Sequence, residues 1–232
     1  MRTTRAALLD DLVELIATRQ PAGLLRVAVD GPDTAGKTTL ADELAERLTG
    51  RRPVIRIGVD GFHQPRAVRR RRGSLSPEGF YRDSFDYDAV REQVLRPLGP
   101  AGDRRYRTAV FDYRTDRPVH LEPRVAPQDA VLLFDGVFLL RPELRGQWDL
   151  TVYVHIGEQE ALRRALIRDA EAMGGVDVVR ERYRDRYFPG QRLYRAEAAP
   201  HEAADIVIDN TDPAHPISAT PRPSGEAGRR TR

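Results

Sequence analysis

The sequence has no cysteine and only one lysine. The absence of cysteine excludes disulfides and thiolate metal sites within the chain. No apolar run approaches the roughly 20 residues that span a bilayer. The segment MRTTRAALLDDLVELIATRQ has mixed charge rather than the apolar core of a signal peptide. We therefore expect a cytoplasmic protein that has no membrane partner.

The basic residues are almost all arginine, since Lys37 is the single lysine among 38 Lys and Arg residues. The formal net charge is only +3, and the arginines are spread along the whole chain. The run of four arginines within 68–73 has no RNA- or DNA-binding signature around it. We therefore do not expect a nucleic-acid partner, and we expect this run to form a loop that attracts anions.

Strand-like and helical patterns alternate along the chain. Apolar residues at helical spacing over residues 4–19 predict a first helix, and LLRVAVD predicts a strand after it. Four further strands are predicted in PVIRIGVD, AVLLFDGVFLL, LTVYVHI and DIVIDN, with helices between them and a β-ribbon within 104–123. This alternation predicts an α/β fold in which helices cover both faces of a parallel five-stranded sheet. The composition from residue 213 onward predicts disorder.

The stretch GPDTAGKT, Gly31–Thr38, fits the pattern G-x-x-x-x-G-K-[ST] between a predicted strand and a predicted helix. Such a loop points backbone N–H groups at phosphate oxygens, and its lysine reaches the β- and γ-phosphates as a compact charge. The wide, planar guanidinium of arginine does not fit that cradle in the same way. The predicted ATP-binding residues are Gly31, Asp33, Thr34, Ala35, Gly36, Lys37, Thr38 and Thr39.

Two aspartates follow predicted strands and can complete a phosphoryl-transfer site. Asp135 ends an apolar strand, where its carboxylate would join the Thr38 hydroxyl on Mg²⁺. Asp60 follows the second strand, where it could accept the proton of an attacking hydroxyl. Either aspartate could instead be a turn residue. A GTPase is excluded because its N-K-x-D element would need a second lysine, and no L-S-G-G-Q signature of ABC proteins is present.

The chain resembles the uridine kinase and phosphoribulokinase branch of the P-loop kinases over about residues 25–210. The resemblance is carried by GPDTAGKTT, VDGFH, SPEGFYRDSFDYDA, YRTAVFDYRTD, LLFDGVFLL, the RD at 168–169 and ADIVIDN. It implies a nucleoside-kinase-like, three-layer P-loop NTPase fold with a small lid, and ATP and Mg²⁺ as cofactors. It also implies that Asp60 is the catalytic base, and that Arg168 acts beside Lys37.

The resemblance divides the chain into an N-terminal helix (1–23), a P-loop kinase domain (24–212) and a disordered tail (213–232). Within the domain, 61–85 would be an irregular insert and about 170–195 a lid. Three positions depart from uridine kinases: His63 replaces a tyrosine, Asp116 replaces the base-reading histidine, and AMGGVD replaces an R-G-R lid element. The base-reading pocket and the lid are therefore altered.

Candidate acceptor-binding residues lie in the insert, the ribbon and the lid. The aromatic ones could stack on a flat ring or be core residues. The lid arginines could clamp the transferring phosphoryl group or form a solvated helix face. The predicted set is Phe62, His63, Tyr81, Phe85, Phe111, Tyr113, Arg184, Gln191 and Arg192.

We expect an ATP-dependent kinase that phosphorylates a hydroxyl of a small, nucleoside-like acceptor, as uridine and cytidine kinases do. One alternative is a kinase of the same fold that acts on a phosphorylated sugar or a pantothenate-like alcohol. Another is a nucleotide-binding regulator without an acceptor. The sequence is compatible with a homo-oligomer.

Overall fold

The computed structural model describes residues 4–21 and 23–219. The helices are α1 (Arg5–Thr18), α2 (Lys37–Leu48), α3 (Arg66–Arg69), α4 (Pro77–Asp83), α5 (Tyr87–Val90), α6 (Pro142–Arg145), α7 (Glu158–Arg168), α8 (Ala170–Met173), α9 (Val176–Arg182), α10 (Phe188–Ala198) and α11 (Pro200–Ala203). A 3₁₀ turn covers Val59–Phe62, and π-helical turns cover Arg91–Leu95 and Tyr183–Tyr187.

The strands are β1 (Leu25–Asp30), β2 (Val54–Gly58), β3 (Arg105–Tyr106), β4 (Phe111–Asp112), β5 (Arg117–Pro118), β6 (Arg124–Val125), β7 (Val131–Gly136), β8 (Leu150–His155), β9 (Ile206–Asp209) and β10 (Ile217–Ala219). The main sheet has the order β10-β9-β8-β1-β7-β2. β1, β2, β7, β8 and β9 run parallel, which confirms the predicted sheet, while β10 pairs antiparallel with β9.

Alternate residues of the central strands enter two separate cores, one on each face of the sheet. Val27 and Val29 of β1 pack with α1 and α2, whereas Ala28 packs on the opposite face with the segments around α4 and α10. Both faces of β1 and β7 are buried, which explains why apolar residues predominate in both strands. The result is the three-layer arrangement that the alternating pattern predicts. Within residues 4–21 and 23–219, no helix is both long and apolar enough to cross a bilayer.

The structure corrects four predictions, of which the first two concern the insert and the ribbon. The insert 61–85 is not irregular, since it contains the 3₁₀ turn, α3 and α4. α4 was missed because its seven residues are too short for a clear period, although its first turn carries a capping signal: Ser76 Oγ accepts from Gly79 N at 3.0 Å. Residues 104–125 form two two-stranded ribbons, β3–β6 and β4–β5, rather than one.

The other two corrections concern the lid and the tail. α10 begins within the predicted lid, but it packs on α4 so closely that a Cβ added to Gly190 would lie 2.6 Å from Phe80. The prediction of a lid is therefore confined to α8, α9 and the π-helical turn that follows. The predicted tail begins too early, because Ile217–Ala219 form β10. The rest of the predicted tail, residues 220–232, lies outside the described residues.

Candidate active site

The loop between β1 and α2 has the backbone that a phosphate cradle requires. Gly31 has φ of 151°, and a Cβ there would lie 2.2 Å from the carbonyl oxygen of Val154. Gly36 has φ of 90° where α2 begins, a conformation that favours glycine. Lys37 is 9% exposed and donates from Nζ to the Pro32 carbonyl at 2.7 Å. Burial lowers the pKa of Lys37, and the surrounding aspartates oppose this effect. The lone lysine thus lies inside the loop, against its backbone.

Side chains from distant segments hold this loop from behind. Asn210, after β9, donates to the Ala35 carbonyl at 2.8 Å, and Arg164 of α7 donates to the Thr34 carbonyl at 3.3 Å. The Thr34 hydroxyl donates to the Ala161 carbonyl at 3.0 Å. Sequence reasoning did not identify Asn210 or Arg164, although Asn210 closes the ADIVIDN motif. These contacts fix the loop before any nucleotide arrives.

Thr38 and Asp135 meet at the edge of the sheet, as predicted. The Thr38 hydroxyl donates to Asp135 Oδ2 at 2.6 Å, and Arg56 donates to Asp135 Oδ1 at 3.0 Å. A hydroxyl and a carboxylate are the hard oxygen ligands that Mg²⁺ prefers, so this pair fits the ion. Arg56 was not among the predicted site residues. It reaches Asp135 because its strand β2 pairs with β7.

Asp60 lies one strand away from this pair. In the sheet, Gly58 of β2 is opposite Asp135 of β7, which is in turn opposite Val29 of β1. Asp60 follows Gly58 in the 3₁₀ turn, so it stands beyond the same carboxyl edge as the phosphate loop. Its side chain is 72% exposed. An accessible carboxylate next to a phosphate cradle can accept a proton from a bound hydroxyl.

Three aromatic rings pack against one another directly after Asp60, and Phe85 among them is buried in the core. The His63 ring lies 4.5 Å from the Phe85 ring and 4.6 Å from the Tyr113 ring, centroid to centroid. His63 Nδ1–H donates to the Asp60 carbonyl at 3.0 Å, which orients the imidazole. Burial lowers the pKa of His63, so the ring is neutral at pH 7. His63, Phe85 and Tyr113 are thus brought together as predicted.

Asp116, where the resemblance places a base-reading histidine, is hydrogen-bonded to the segment 61–85. Its Oδ1 accepts from Arg66 N at 2.8 Å and from the Arg69 guanidinium at 3.2 Å. These bonds hold the pKa of Asp116 below its usual range. Asp116 therefore connects α3 to the ribbon formed by β4 and β5.

Asp33 lies in the phosphate loop, and Arg168 ends α7 near it. Within the described residues, Asp33 Oδ2 is buried without a hydrogen-bond partner. Burial raises the pKa of Asp33, and the charges of Lys37 and Arg168 oppose the rise. Arg168 makes a double hydrogen bond with Asp169, at 2.6 and 2.9 Å, which raises its own pKa. Gln191, on α10, is also buried with both amide atoms unpartnered in the described part of the chain.

Three of the predicted acceptor-binding residues are buried among hydrophobic residues. Phe62 packs on Phe134 in the core and is fully buried. Tyr81 is also a core residue, packed against Phe138 and Tyr194. Phe111 is 7% exposed in β4.

Two predicted lid arginines form exposed ion pairs. Arg184 pairs with the adjacent Asp185 at 2.6 Å and is 72% exposed. Arg192 pairs with Glu158 at 2.8 Å. Both arginines are therefore already paired with carboxylates of the chain. Thr39, in contrast, lies as expected in the first turn of α2.

A buried carboxylate at the end of β1 was missed altogether. Asp30 is fully buried, and its oxygens accept from Gly31 N at 2.7 Å, from the Tyr194 hydroxyl and from Leu140 N at 3.3 Å. Burial raises the pKa of Asp30, and the Tyr194 hydrogen bond opposes the rise. Through these hydrogen bonds, Asp30 connects the start of the phosphate loop to Leu140, after β7, and to Tyr194.

Known proteins of similar sequence and structure include kinases. Uridine-cytidine kinase B of Dictyostelium discoideum is 30% identical over 185 residues, which are 78% of this chain and 73% of that protein. A possible uridine kinase from Bacillus stearothermophilus has the same fold, with a TM-score of 0.68 and 24% identity over 87% of this chain and 97% of its own. A putative fructose transport system kinase from Silicibacter sp. TM1040 has a TM-score of 0.69 and 25% identity, covering 84% and 96%. No family model matches the chain.

The sequence likeness to the Dictyostelium enzyme extends over most of both chains, and the site lies within the shared fold. The chain therefore belongs to the uridine kinase-like family of P-loop kinases and is a phosphotransferase that acts on a hydroxyl group.

Proposed function

We propose that the protein transfers the γ-phosphoryl group of ATP to a hydroxyl of a small, nucleoside-like metabolite. The observation that carries the proposal is the position of Asp60. Its exposed carboxylate stands at the sheet edge that also holds Lys37 and the Thr38–Asp135 pair. A base and a phosphate cradle on neighbouring strands are the parts that phosphoryl transfer to an alcohol needs.

Different residues serve the nucleotide that donates the phosphoryl group and the hydroxyl that accepts it. The loop amides and Lys37 bind the nucleotide phosphates, and Thr38 and Asp135 would hold Mg²⁺. Mg²⁺ supplies charge neutralisation at the phosphate oxygens when it is bound. Arg168 adds positive charge near Asp33, between the loop and the lid. Asp60 takes the proton of the acceptor hydroxyl as its oxygen attacks the γ-phosphorus and ADP leaves.

Two partly exposed aromatic rings next to Asp60 support an acceptor with a flat ring. His63 and Tyr113, packed on each other and on the buried Phe85, are the aromatic side chains beside Asp60 that such a ring can contact. Asp116 is held by Arg66 and Arg69, so this position does not offer a free side chain to the acceptor. The acceptor would therefore be recognised differently from the acceptor of an enzyme that has a histidine at position 116.

Replacement of the base tests the proposal. Asp60→Asn keeps size and hydrogen bonding but removes the base, so kcat should fall by roughly 10²-fold or more. The assay is ADP release with ATP and Mg²⁺ across uridine, cytidine, other nucleosides, pantothenate and ribulose 5-phosphate. Asp129→Asn, an exposed aspartate next to β7, is the matched control and should leave turnover unchanged. Equal turnover by Asp60→Asn and the wild type at saturating acceptor would refute the role of Asp60.

A further inference from the structure

An arginine lies in the middle of β2, an edge strand that is otherwise apolar. Val54, Arg56 and Gly58 alternate along the strand and therefore share one face, and Val54 packs there against the core beneath α2. A Cβ added to Gly58 would lie 3.6 Å from Asp135 Oδ1, so the Asp135 carboxylate lies on this face too. Arg56 thus stands next to the carboxylate that is proposed to hold Mg²⁺.

Three acceptors bind the guanidinium of Arg56. It donates to Asp135 Oδ1 at 3.0 Å, to the Leu133 carbonyl at 2.8 Å and to Asp42 Oδ1 at 2.9 Å. The Arg56 side chain is only 23% exposed. A rigid, planar guanidinium presents its donors in fixed directions, whereas the ammonium of lysine is a flexible point charge. The direction of the Arg56 guanidinium is therefore determined by the protein.

Thr38 and Asp42 of α2 complete a ring of contacts around Asp135. They are four residues apart, so they lie on the same side of the helix, one turn from each other. The Thr38 hydroxyl donates to Asp135 Oδ2 at 2.6 Å, while Arg56 connects Asp135 Oδ1 to Asp42. The Asp135 carboxylate cannot turn without losing a hydrogen bond at one of its oxygens. Its orientation is therefore set by α2 and β2 together.

The charge of Arg56 is balanced within this ring. A cation beside a metal ligand by itself opposes the binding of a dication. Asp42, whose side chain is 63% exposed, forms an ion pair with Arg56 at 2.9 Å and offsets that charge. Exposed ion pairs contribute little, whereas loss of a partner that orients a metal ligand typically weakens metal binding by roughly 10–100-fold. The orientation of Asp135 therefore outweighs the repulsion from Arg56.

We propose that Arg56 is a positioning residue for Mg²⁺. It holds Asp135 so that Oδ2 and the Thr38 hydroxyl are presented together to the ion, and Asp42 neutralises its charge. One carboxylate and one hydroxyl leave most ligand positions of Mg²⁺ to nucleotide phosphates and water. Arg56 therefore acts on the magnesium complex of the nucleotide and not on the nucleotide alone. The inference rests on the proposed function, in which Thr38 and Asp135 hold Mg²⁺.

Calorimetric binding of the non-hydrolysable analogue AMP-PNP to the full chain, with excess Mg²⁺ and with EDTA, tests the proposal. The ratio of the two affinities is the magnesium gain, which measures what the ion contributes to binding. Arg56→Met should lower the magnesium gain by about tenfold and leave metal-free binding unchanged. Arg56→Lys should not restore the gain, since it keeps the charge but not the planar fork. Asp42→Asn should lower the gain by about threefold, because the charge of Arg56 is then unbalanced.

Another exposed ion pair of α2 provides the matched controls, since Arg47→Met and Asp10→Asn should leave the magnesium gain unchanged. An unchanged or larger gain in Arg56→Met, an equal loss with and without Mg²⁺, or full rescue by Arg56→Lys overturns the proposal while the proposed function stands. A wild type whose AMP-PNP binding gains nothing from Mg²⁺ overturns the Mg²⁺ site of the proposed function and this inference together. If a thermal melt shows that Arg56→Met is unfolded, Asp42→Asn decides, because it leaves the contact between Arg56 and Asp135 in place. An unchanged gain in that variant then overturns the proposal.

Discussion

Replacement of Lys37 by arginine preserves its charge and should nevertheless abolish most of the activity. Lys37 is 9% exposed, and its Nζ lies 2.7 Å from the Pro32 carbonyl inside the loop. Arginine has a longer side chain that ends in a planar fork, which would have to fit at this buried position. Forcing such a group into a packed site typically costs about 1–3 kcal/mol, and a misplaced cation loses a hydrogen bond to phosphate of about 1.5–3 kcal/mol.

Together these terms predict a loss of at least 10²-fold in kcat/KM. The assay is ADP release with a saturating acceptor, together with AMP-PNP binding by calorimetry, for the wild type, Lys37→Arg and Lys37→Ala. Both variants should lose activity to a similar extent, because position rather than charge limits the reaction. Arg96→Lys is the matched exchange at an exposed helical pair, and it should change neither activity nor stability measurably.

Activity of Lys37→Arg within threefold of the wild type would contradict the predicted loss. In that case the cradle would accept a guanidinium, and the single lysine in a chain rich in arginine would need another explanation. A thermal melt completes the test, because a variant that has merely unfolded would lose its AMP-PNP binding and its cooperative transition together. A folded, inactive Lys37→Arg is the expected outcome.

Three further predictions follow from particular contacts. Asp135→Asn should raise the Mg²⁺ concentration for half-maximal activity by about tenfold, since it removes a charged oxygen ligand; an unchanged Mg²⁺ titration would contradict this. Asp83→Asn should lower the free energy of unfolding by about 1 kcal/mol at pH 7. Arg71 holds the pKa of Asp83 below its usual value, so this contribution is present above pH about 4 and is lost as the pH falls below it, which urea titrations at pH 7 and at pH 3 will measure. Tyr194→Phe should lower the free energy of unfolding by about 1–3 kcal/mol, because buried Asp30 loses a donor; a thermal melt identical to that of the wild type would refute it.

The nucleotide side of the site was predictable because its chemistry is local in sequence. The phosphate loop is a contiguous run of residues between a strand and a helix, and Thr38 follows Lys37 directly. Asp135 and Asp60 could be found because parallel strands bring their carboxyl ends to one edge. Because β7 lies between β1 and β2 in the sheet, Asp135 lies between the phosphate loop, which follows β1, and Asp60, which follows β2.

The acceptor side was less predictable because it depends on contacts between distant segments. Phe62 and Tyr81 have the composition of pocket residues, but burial against Phe134 and Phe138 makes them part of the core. Arg192 lies in an arginine-rich run, yet it pairs with Glu158, 34 residues earlier in the sequence. No period or motif in the sequence shows which arginine has an acid beside it in three dimensions.

The pairing of arginines with acids also narrows the choice of the base. Around the cleft, arginines pair with the carboxylates of Asp135, Asp116 and Asp169. In the described part of the chain, Asp33 and Asp60 form no ion pair with an arginine, and Asp33 has a buried oxygen inside the phosphate loop. A carboxylate that is bound to a guanidinium is a weak proton acceptor, since the bond stabilises its charged form. Asp60 is exposed and has no arginine partner, so among the carboxylates at this edge it best suits the base that we propose.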